Sequence, residues 1–362
     1  MRYVWFLVIL CIFCLTLFLA RTRSKVEMRN RIYHQWNEHF VVSKGKESYV
    51  RTTNDSNQTV VLSEAQSYGM IITVAAAEKG QAQQADFDRL YHYYLNHRLE
   101  GTQLMSWKQT ISNGKAKDED HNATDGDLYI AYALLKAAQQ WPKQAKDYQA
   151  QAKAILEDIL AHNYNEETGV LTVGNWANQD SEFYHLMRTS DTLPAQFQIF
   201  YEVTKDSKWL DIKEKMLQQL QTISSQTKTG LLPDFIWVDE QGTRVADPKT
   251  IESKYDGAYS YNACRLPYNL VQSKDKISQK LVKKMLNFFK SQRNLYAGYD
   301  LKGKALNNHQ AASFLAPIVY ASEHEKGYLK LVQQNKYIFT QDLPLNNYYD
   351  ATMTTMIALE LF

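Results

Sequence analysis

The stretch Ala123-Thr124-Asp125-Gly126-Asp127-Leu128-Tyr129-Ile130-Ala131-Tyr132-Ala133-Leu134-Leu135 sets two aspartates directly against an apolar run. Ile130, Leu134, Ala137 and Ala138 recur at spacings of three and four, which marks a helix with one buried face rather than a strand. Asp125 stands where a capping residue belongs, and Gly126 eases the entry turn. The segment predicts a helix over Asp127–Gln140 that begins among carboxylates.

The pattern continues outward in both directions. Ser63-Glu64-Ala65-Gln66-Ser67-Tyr68-Gly69-Met70 opens a helix over Glu64–Lys79, with Ser63 as its cap and Glu64 in its first turn. Similar spacing predicts helices at Arg29–Phe40, Gln83–Asn96, Lys143–His162, Ser181–Thr204 and Ser207–Ser224. It predicts others at Ile277–Gln292, His309–Ser322, Glu325–Gln334 and Asn347–Leu361. Asp206 is a further capping candidate. Strand-like stretches are short: Gln58–Leu62, Val170–Thr172 and Phe235–Val238. The seven prolines are scattered, and no repeat or linker divides the body. An all-α body follows, and its periodicity suits either a toroid of inner and outer helices or a solenoid.

Composition narrows the function. A chain of 362 residues, 44% hydrophobic and 22% charged, is globular rather than disordered. A net charge of only +2 argues against a nucleic-acid partner. The 24 Tyr, 14 Phe and 7 Trp are enough to line a groove with flat, half-polar rings, although most rings in any fold pack the core. Cys11 and Cys14 lie in the N-terminal apolar run and Cys264 stands alone in the body, so neither a disulfide within the body nor a thiolate metal cluster is expected. Asp118-Glu119-Asp120-His121 reads as a solvated loop, because adjacent side chains diverge. His92 and His97, five apart on a helix, suit a shared metal poorly.

Val4 to Ala20 is uncharged and apolar, between Arg2 on one side and Arg21, Arg23 and Lys25 on the other. Its length is at the lower edge for a spanning helix and exceeds a usual signal-peptide core. Phe18 occupies a position where cleavage wants a small residue. Residues 1–24 are therefore expected to be a retained membrane anchor, with a cleaved signal as the alternative, and residues 25–362 to form one domain. Basic residues flank both ends, so charge does not set the orientation.

The Glu64 and Asp125 segments resemble the signatures of glycoside hydrolase family 8, which includes endoglucanases, xylanases, chitosanases and enzymes of bacterial cellulose and exopolysaccharide operons. The second segment carries the resemblance through Ile130, Ala131, Ala133, Ala137 and the closing Trp141. Later echoes are Gly230-Leu231-Leu232-Pro233-Asp234-Phe235, Tyr261-Asn262-Ala263-Cys264-Arg265-Leu266-Pro267 and Tyr348-Tyr349-Asp350. The similarity runs from about residue 31 to the end. It implies an (α/α)6 barrel and an inverting hydrolase of a β-linked, β-1,4-type polysaccharide, facing outside the cytoplasm. Neither metal nor cofactor is implied.

The resemblance makes Glu64 the general acid and Asp125 the carboxylate that positions the sugar. It makes Trp107 a sugar-stacking ring. Tyr68, Trp176, Tyr184 and Trp237 are further candidates for the groove, and Arg265, with its bidentate fork, for pairing with a site carboxylate. An inverting mechanism needs a second, ionised carboxylate to activate water. Many family members have an Asp where this chain has Asn262, and an amide cannot take a proton from water. Asp234 is the expected base, with Asp239, Asp247 and Asp256 as rivals. If none served, the chain would be a carbohydrate-binding protein that kept the groove and lost the chemistry.

Overall fold

The computed structural model describes residues 2–53 and 58–362. Twelve α-helices account for most of these residues, and they alternate between two rings. The inner ring is α2 (Ser63–Glu78), α4 (Thr124–Gln140), α6 (Pro194–Thr204), α8 (Leu266–Val271), α10 (Ala312–His324) and α12 (Tyr348–Leu361). The outer ring is α1 (Arg2–Phe40), α3 (Gln84–Asn96), α5 (Ala145–His162), α7 (Lys208–Ser225), α9 (Lys276–Ser291) and α11 (Leu329–Asn335). Each inner helix packs on the outer helix beside it, and α12 returns to α2 to close the ring. This is an (α/α)6 barrel. The solenoid alternative is thereby excluded.

The sequence dictates which helix goes where. In α2 nearly every residue from Ser63 to Ala77 is buried, as expected of a helix enclosed on all sides. In α9 only one stripe, including Leu281, Met285, Leu286 and Phe289, is buried, as expected of a helix with one wet face. Burying side chains of this size stabilises by roughly 1.5–3 kcal/mol each. Asp206 caps α7, accepting from the Lys208 amide at 2.9 Å. Ser63 does not cap α2: the helix starts at Ser63 itself, and its hydroxyl is buried without a partner. Gly126 presses on Ser63 so closely that a Cβ there would lie 2.2 Å from the hydroxyl oxygen. Glycine is thus required at 126 to let the first turns of α2 and α4 touch.

The two ends of the barrel differ. At the lower end, turns 79–83, 141–144, 205–207, 272–275 and 325–328 join inner to outer helices. At the upper end the connections are long: 41–62, 97–123, 163–193, 226–265, 292–311 and 336–347. All the described strands lie in them. A hairpin pairs β1 (Val41–Lys44) with β2 (Glu47–Val50). One three-stranded sheet orders β3 (Thr59–Leu62), β4 (Lys108–Ser112) and β5 (Lys115–Asp118). Another orders β6 (Leu186–Arg188), β7 (Phe235–Asp239) and β8 (Gly242–Val245).

Three sequence expectations need correction. The helix expected over 181–204 is helical only from Pro194, because residues 186–188 leave as strand β6 to pair with β7. Helix α8 was not expected at all: it is six residues long, too short to show a period. The expected strand at 170–172 is only a single bridge, Leu171 to Tyr164. Helix α1 runs unbroken from Arg2 to Phe40.

Candidate active site

The six inner helices all start at the upper end, so their N-termini converge beneath the long connections. A cleft of about 390 Å³ opens there. Glu64, Asp125, Arg188, Glu252, Asn262, Trp107, Tyr261, Tyr348 and Tyr349 are among the residues lining it.

Arg265 organises the floor. Its guanidinium is buried, and one nitrogen donates to Glu64 (2.9 Å), Asp125 (3.1 Å) and the Tyr68 hydroxyl (3.0 Å). The other donates to the Ser190 hydroxyl (2.7 Å) and the Asn262 carbonyl oxygen of the side chain (3.1 Å). A second guanidinium, Arg188, stands 2.9 Å from Asp125, 3.6 Å from Asp191 and 3.5 Å from Glu252. Two cations thus hold four carboxylates around one opening.

The carboxylates separate in acidity because their surroundings differ. Burial pushes Glu64 up to about 7; Arg265 opposes this, and the negative charge of Asp125 adds to it. The lowering expected from a helix N-terminus is therefore overcome. Burial would also raise Asp125, but Arg188 and Arg265 outweigh it and hold that group below its ordinary value. A carboxyl that keeps its proton near neutrality beside one that does not is the division an acid and a sugar-positioning group require. Burial likewise raises Asp191 to about 7, against Arg188.

Trp107 lies beside Glu64 for a backbone reason: its carbonyl accepts from the Ser63 amide at 2.9 Å, and β4 pairs with β3. Its indole lies parallel to the His121 ring at 5.8 Å. Asp127 supports the same loop from below, accepting from the Met105 amide and the Asn122 side chain, each at 2.8 Å.

Asp234 is not among the cleft-lining residues. One of its oxygens accepts the backbone amides of Ser260 (3.1 Å), Asn262 (3.1 Å) and Ala263 (2.7 Å). Burial raises its pKa well above the ordinary range. It folds the turn that carries Asn262 and Arg265, and is poorly placed to take a proton from water. Asp256 acts similarly, accepting the amides of Ile251 (2.8 Å), Glu252 (3.1 Å) and Ser253 (2.7 Å). Asp239 pairs with Arg244 at 2.6 Å on the β7–β8 hairpin. The rival Asp247 accepts local bonds from the Thr250 hydroxyl and amide through its backbone carbonyl and is not among the cleft-lining residues.

The loop carboxylate that does reach the cleft is Glu252, displayed by the turn that Asp256 ties together. Its second oxygen accepts from the Asn262 amide at 2.8 Å. Asn262 therefore donates to Glu252 on one side and accepts from Arg265 on the other. An aspartate there would satisfy Arg265 but repel Glu252.

Of the expected groove residues, Glu64, Asp125, Trp107 and Asn262 line the cleft, with Arg265 and Tyr68 beneath. Trp176 and Trp237 lie outside it, in an aromatic row that runs from His121 through Trp176 and Phe183 to Trp237. Tyr184 is buried away from it. Sequence reading missed Glu252, Arg188, Asp191 and Tyr261 as site residues. Arg188 and Asp191 were hidden inside a wrongly extended helix, although their i, i+3 spacing of opposite charges was visible. Glu252 lacked a motif; the need of Asn262 for a hydrogen-bond acceptor was the available clue.

Comparison with known proteins agrees with this geometry. The sequence model of "Glycosyl hydrolases family 8" matches residues 9–360. A β-glucanase of Niallia circulans is 30% identical over 298 residues, covering 79% of this chain and 72% of the relative. An endoglucanase of Bacillus sp. strain KSM-330 is 31% identical over 275 residues, covering 72% of this chain but 58% of the relative. Among solved structures, the apo β-1,3-1,4-glucanase of Paenibacillus sp. X4 superposes with a TM-score of 0.84 at 24% identity, covering 94% and 92% of the two chains. Rex8A of Paenibacillus barcinonensis, complexed with xylose, gives 0.73 at 22%, covering 92% and 93%.

Proposed function

The chain belongs to glycosyl hydrolases family 8 and is a glycoside hydrolase acting on a β-linked polysaccharide; from that premise we propose that it inverts at the cleaved carbon, with Glu64 as acid and Glu252 as base. The observation that carries the assignment is the chain of contacts Glu64–Arg265–Asn262–Glu252 across one cleft. Two side chains intervene between the carboxyls, which suits a mechanism that must fit a water beside the sugar. Glu64 gives its proton to the departing glycosidic oxygen. Glu252 takes a proton from water as the water's oxygen attacks the anomeric carbon. Asp125, kept ionised by its two arginines, accepts hydroxyls of the sugar at the cleavage point, and Trp107 stacks on a ring beside it.

Asn262 was the argument for a protein that only binds carbohydrate. With a carboxylate hydrogen-bonded to it, that argument loses its force. The stereochemistry decides between mechanisms: proton NMR of the first product from a β-1,4-linked glucan should show the α-anomer. A β-anomer as first product would rule out the single displacement.

The substrate we propose is a β-1,4-type glucan or bacterial exopolysaccharide, supported by the names of the relatives and by the ring-lined cleft. We further propose that residues 4–20 stay attached as a membrane anchor with the barrel on the outer side. The support is an N-terminal helix with exposed apolar residues on every side, including Val4, Trp5, Phe6, Ile9, Phe13 and Leu17. Fractionation that recovers only a shortened, freely soluble form would overturn the anchor.

A further inference from the structure

We infer that the lower end of the barrel is a lipid-facing surface that sits on anionic headgroups and holds the cleft pointing away from the membrane. The inference rests on the anchored reading above and adds direction and distance to it.

The direction follows from α1. Its apolar half and its barrel half form one helix, from Arg2 to Phe40. The barrel half runs antiparallel to α12. Arg29 donates to the carbonyl of Phe362 at 2.9 Å, Trp36 to the Thr352 hydroxyl at 2.9 Å, and Phe40 meets Tyr348 edge-on at 5.9 Å. Tyr348 and Tyr349 line the cleft, whereas Phe362 ends α12 at the opposite side of the barrel. A chain leaving the membrane at Ala20 thus meets the lower end first and reaches the cleft last. At 1.5 Å per residue, the helix from Ala20 to Phe40 sets the cleft about 30 Å from the membrane boundary.

The stem allows little swivel. Lys25 already packs over the Phe362 ring, 5.4 Å from its centre. Arg23 and Glu27 pair at 2.7 Å along the same helix. Only residues 21–24 lie between the apolar run and this contact, so the lower turns are held close to the headgroups.

Those turns suit that position chemically. Each of the five carries an exposed lysine: Lys79, Lys143, Lys205, Lys274 and Lys326. Lys208 and Lys276 stand at the next positions after two of them. The acids among them are largely occupied: Asp206 caps α7, Asp275 caps α9 through the Ile277 amide at 2.7 Å, and Glu325 pairs with Lys283 at 3.6 Å. With Arg21, Arg23 and Lys25, the lysines form a ring of exposed cations at the membrane-proximal end, interspersed with the exposed acids Glu78, Asp86, Asp147, Asp211 and Glu323 at the adjoining helix ends. Basic groups near an anionic bilayer surface each add favourable attraction within a Debye length. The substrate is then polymer that has already cleared the bilayer, and the reaction that supplies it is an extrusion or synthesis step that delivers glycan beyond the headgroup layer.

The test uses the full chain with Cys11 and Cys14 replaced by alanine, reconstituted in phosphatidylcholine vesicles with and without phosphatidylglycerol. A fluorophore is placed by Lys143→Cys on a lower turn, or by Lys302→Cys in the upper connection 292–311. Headgroup-attached spin labels should quench the first several-fold more than the second, and more so with phosphatidylglycerol. Reversing the turn charges together (K79E, K205E, K274E, K326E) should abolish the gain from phosphatidylglycerol while leaving turnover of a soluble oligosaccharide unchanged. Equal quenching at both positions in protein that floats with the vesicles would overturn the orientation. No loss on charge reversal would overturn the lipid-binding role of the lysines. Protein that does not float with the vesicles would instead refute the anchor itself.

Discussion

The two ends of this barrel are built to opposite rules. The lower turns are short, contain no strand among the described residues and carry helix caps, an ion pair and exposed lysines. The upper connections are long, carry every described strand and deliver each cleft residue that is not on a helix start. The lower end needs only to reverse the chain, which a few residues do. The upper end must bring Trp107, Arg188, Glu252 and Asn262 from three different connections to one place, which requires internal scaffolding. Buried Asp127, Asp234 and Asp256 are that scaffolding: each spends its carboxylate on backbone amides of the chain it shapes.

The comparison predicts effects that differ greatly between the ends. Glu64→Gln keeps the shape but removes the transferable proton, so turnover of a soluble β-glucan should fall by about 10³-fold, with the melting temperature almost unchanged. Asp234→Ala should act on stability instead. It leaves three buried amides without an acceptor, costing about 3 kcal/mol by denaturant titration. Asp234→Asn keeps an acceptor oxygen and should retain most of the turnover per folded molecule. A near-silent but fully stable Asp234→Asn would return the base role to that residue.

Asn262→Asp should lower kcat about tenfold, because the new carboxylate repels Glu252 and competes for Arg265. A gain in activity would mean that the family's usual aspartate is compatible with this cleft. The pH profile should also report the upper end. As the proposed acid, Glu64 would have to be protonated to act, and burial raises its pKa to about 7, so kcat/KM should fall as pH rises through about 7. A plateau extending well into alkaline pH would contradict Glu64 as the acid. At the lower end Lys143→Gln should change stability by less than about 0.5 kcal/mol and leave turnover of soluble substrate untouched.

Legibility in the sequence follows the same division. The all-α body was readable because helices repeat their apolar residues every three or four positions, whereas the barrel and the parts expected of Glu64 and Asp125 came from the resemblance of the two segments that open such helices to family 8 signatures. The upper connections have no period to read. Arg188 stands where strand β6 and the turn after it interrupt a stretch whose apolar spacing reads as helix. Asp234 lies in a family-like motif, and its carboxylate accepts the backbone amides of Ser260, Asn262 and Ala263, contacts that the motif itself does not announce. Glu252 stands in a loop whose course is set by Asp256 and by a contact with Asn262, ten residues further on. Local sequence does not announce a position that depends on such contacts.

In the mechanism we propose, an upper loop carries the water-activating carboxylate, Glu252. The most direct measurement is kcat of Glu252→Gln on the β-glucan that the wild-type enzyme cuts best. An amide at 252 can still bond to Asn262 but cannot accept water's proton. Glu252→Gln should lose about 10²–10⁴-fold in kcat with little change in stability. A rate close to wild type would contradict that mechanism.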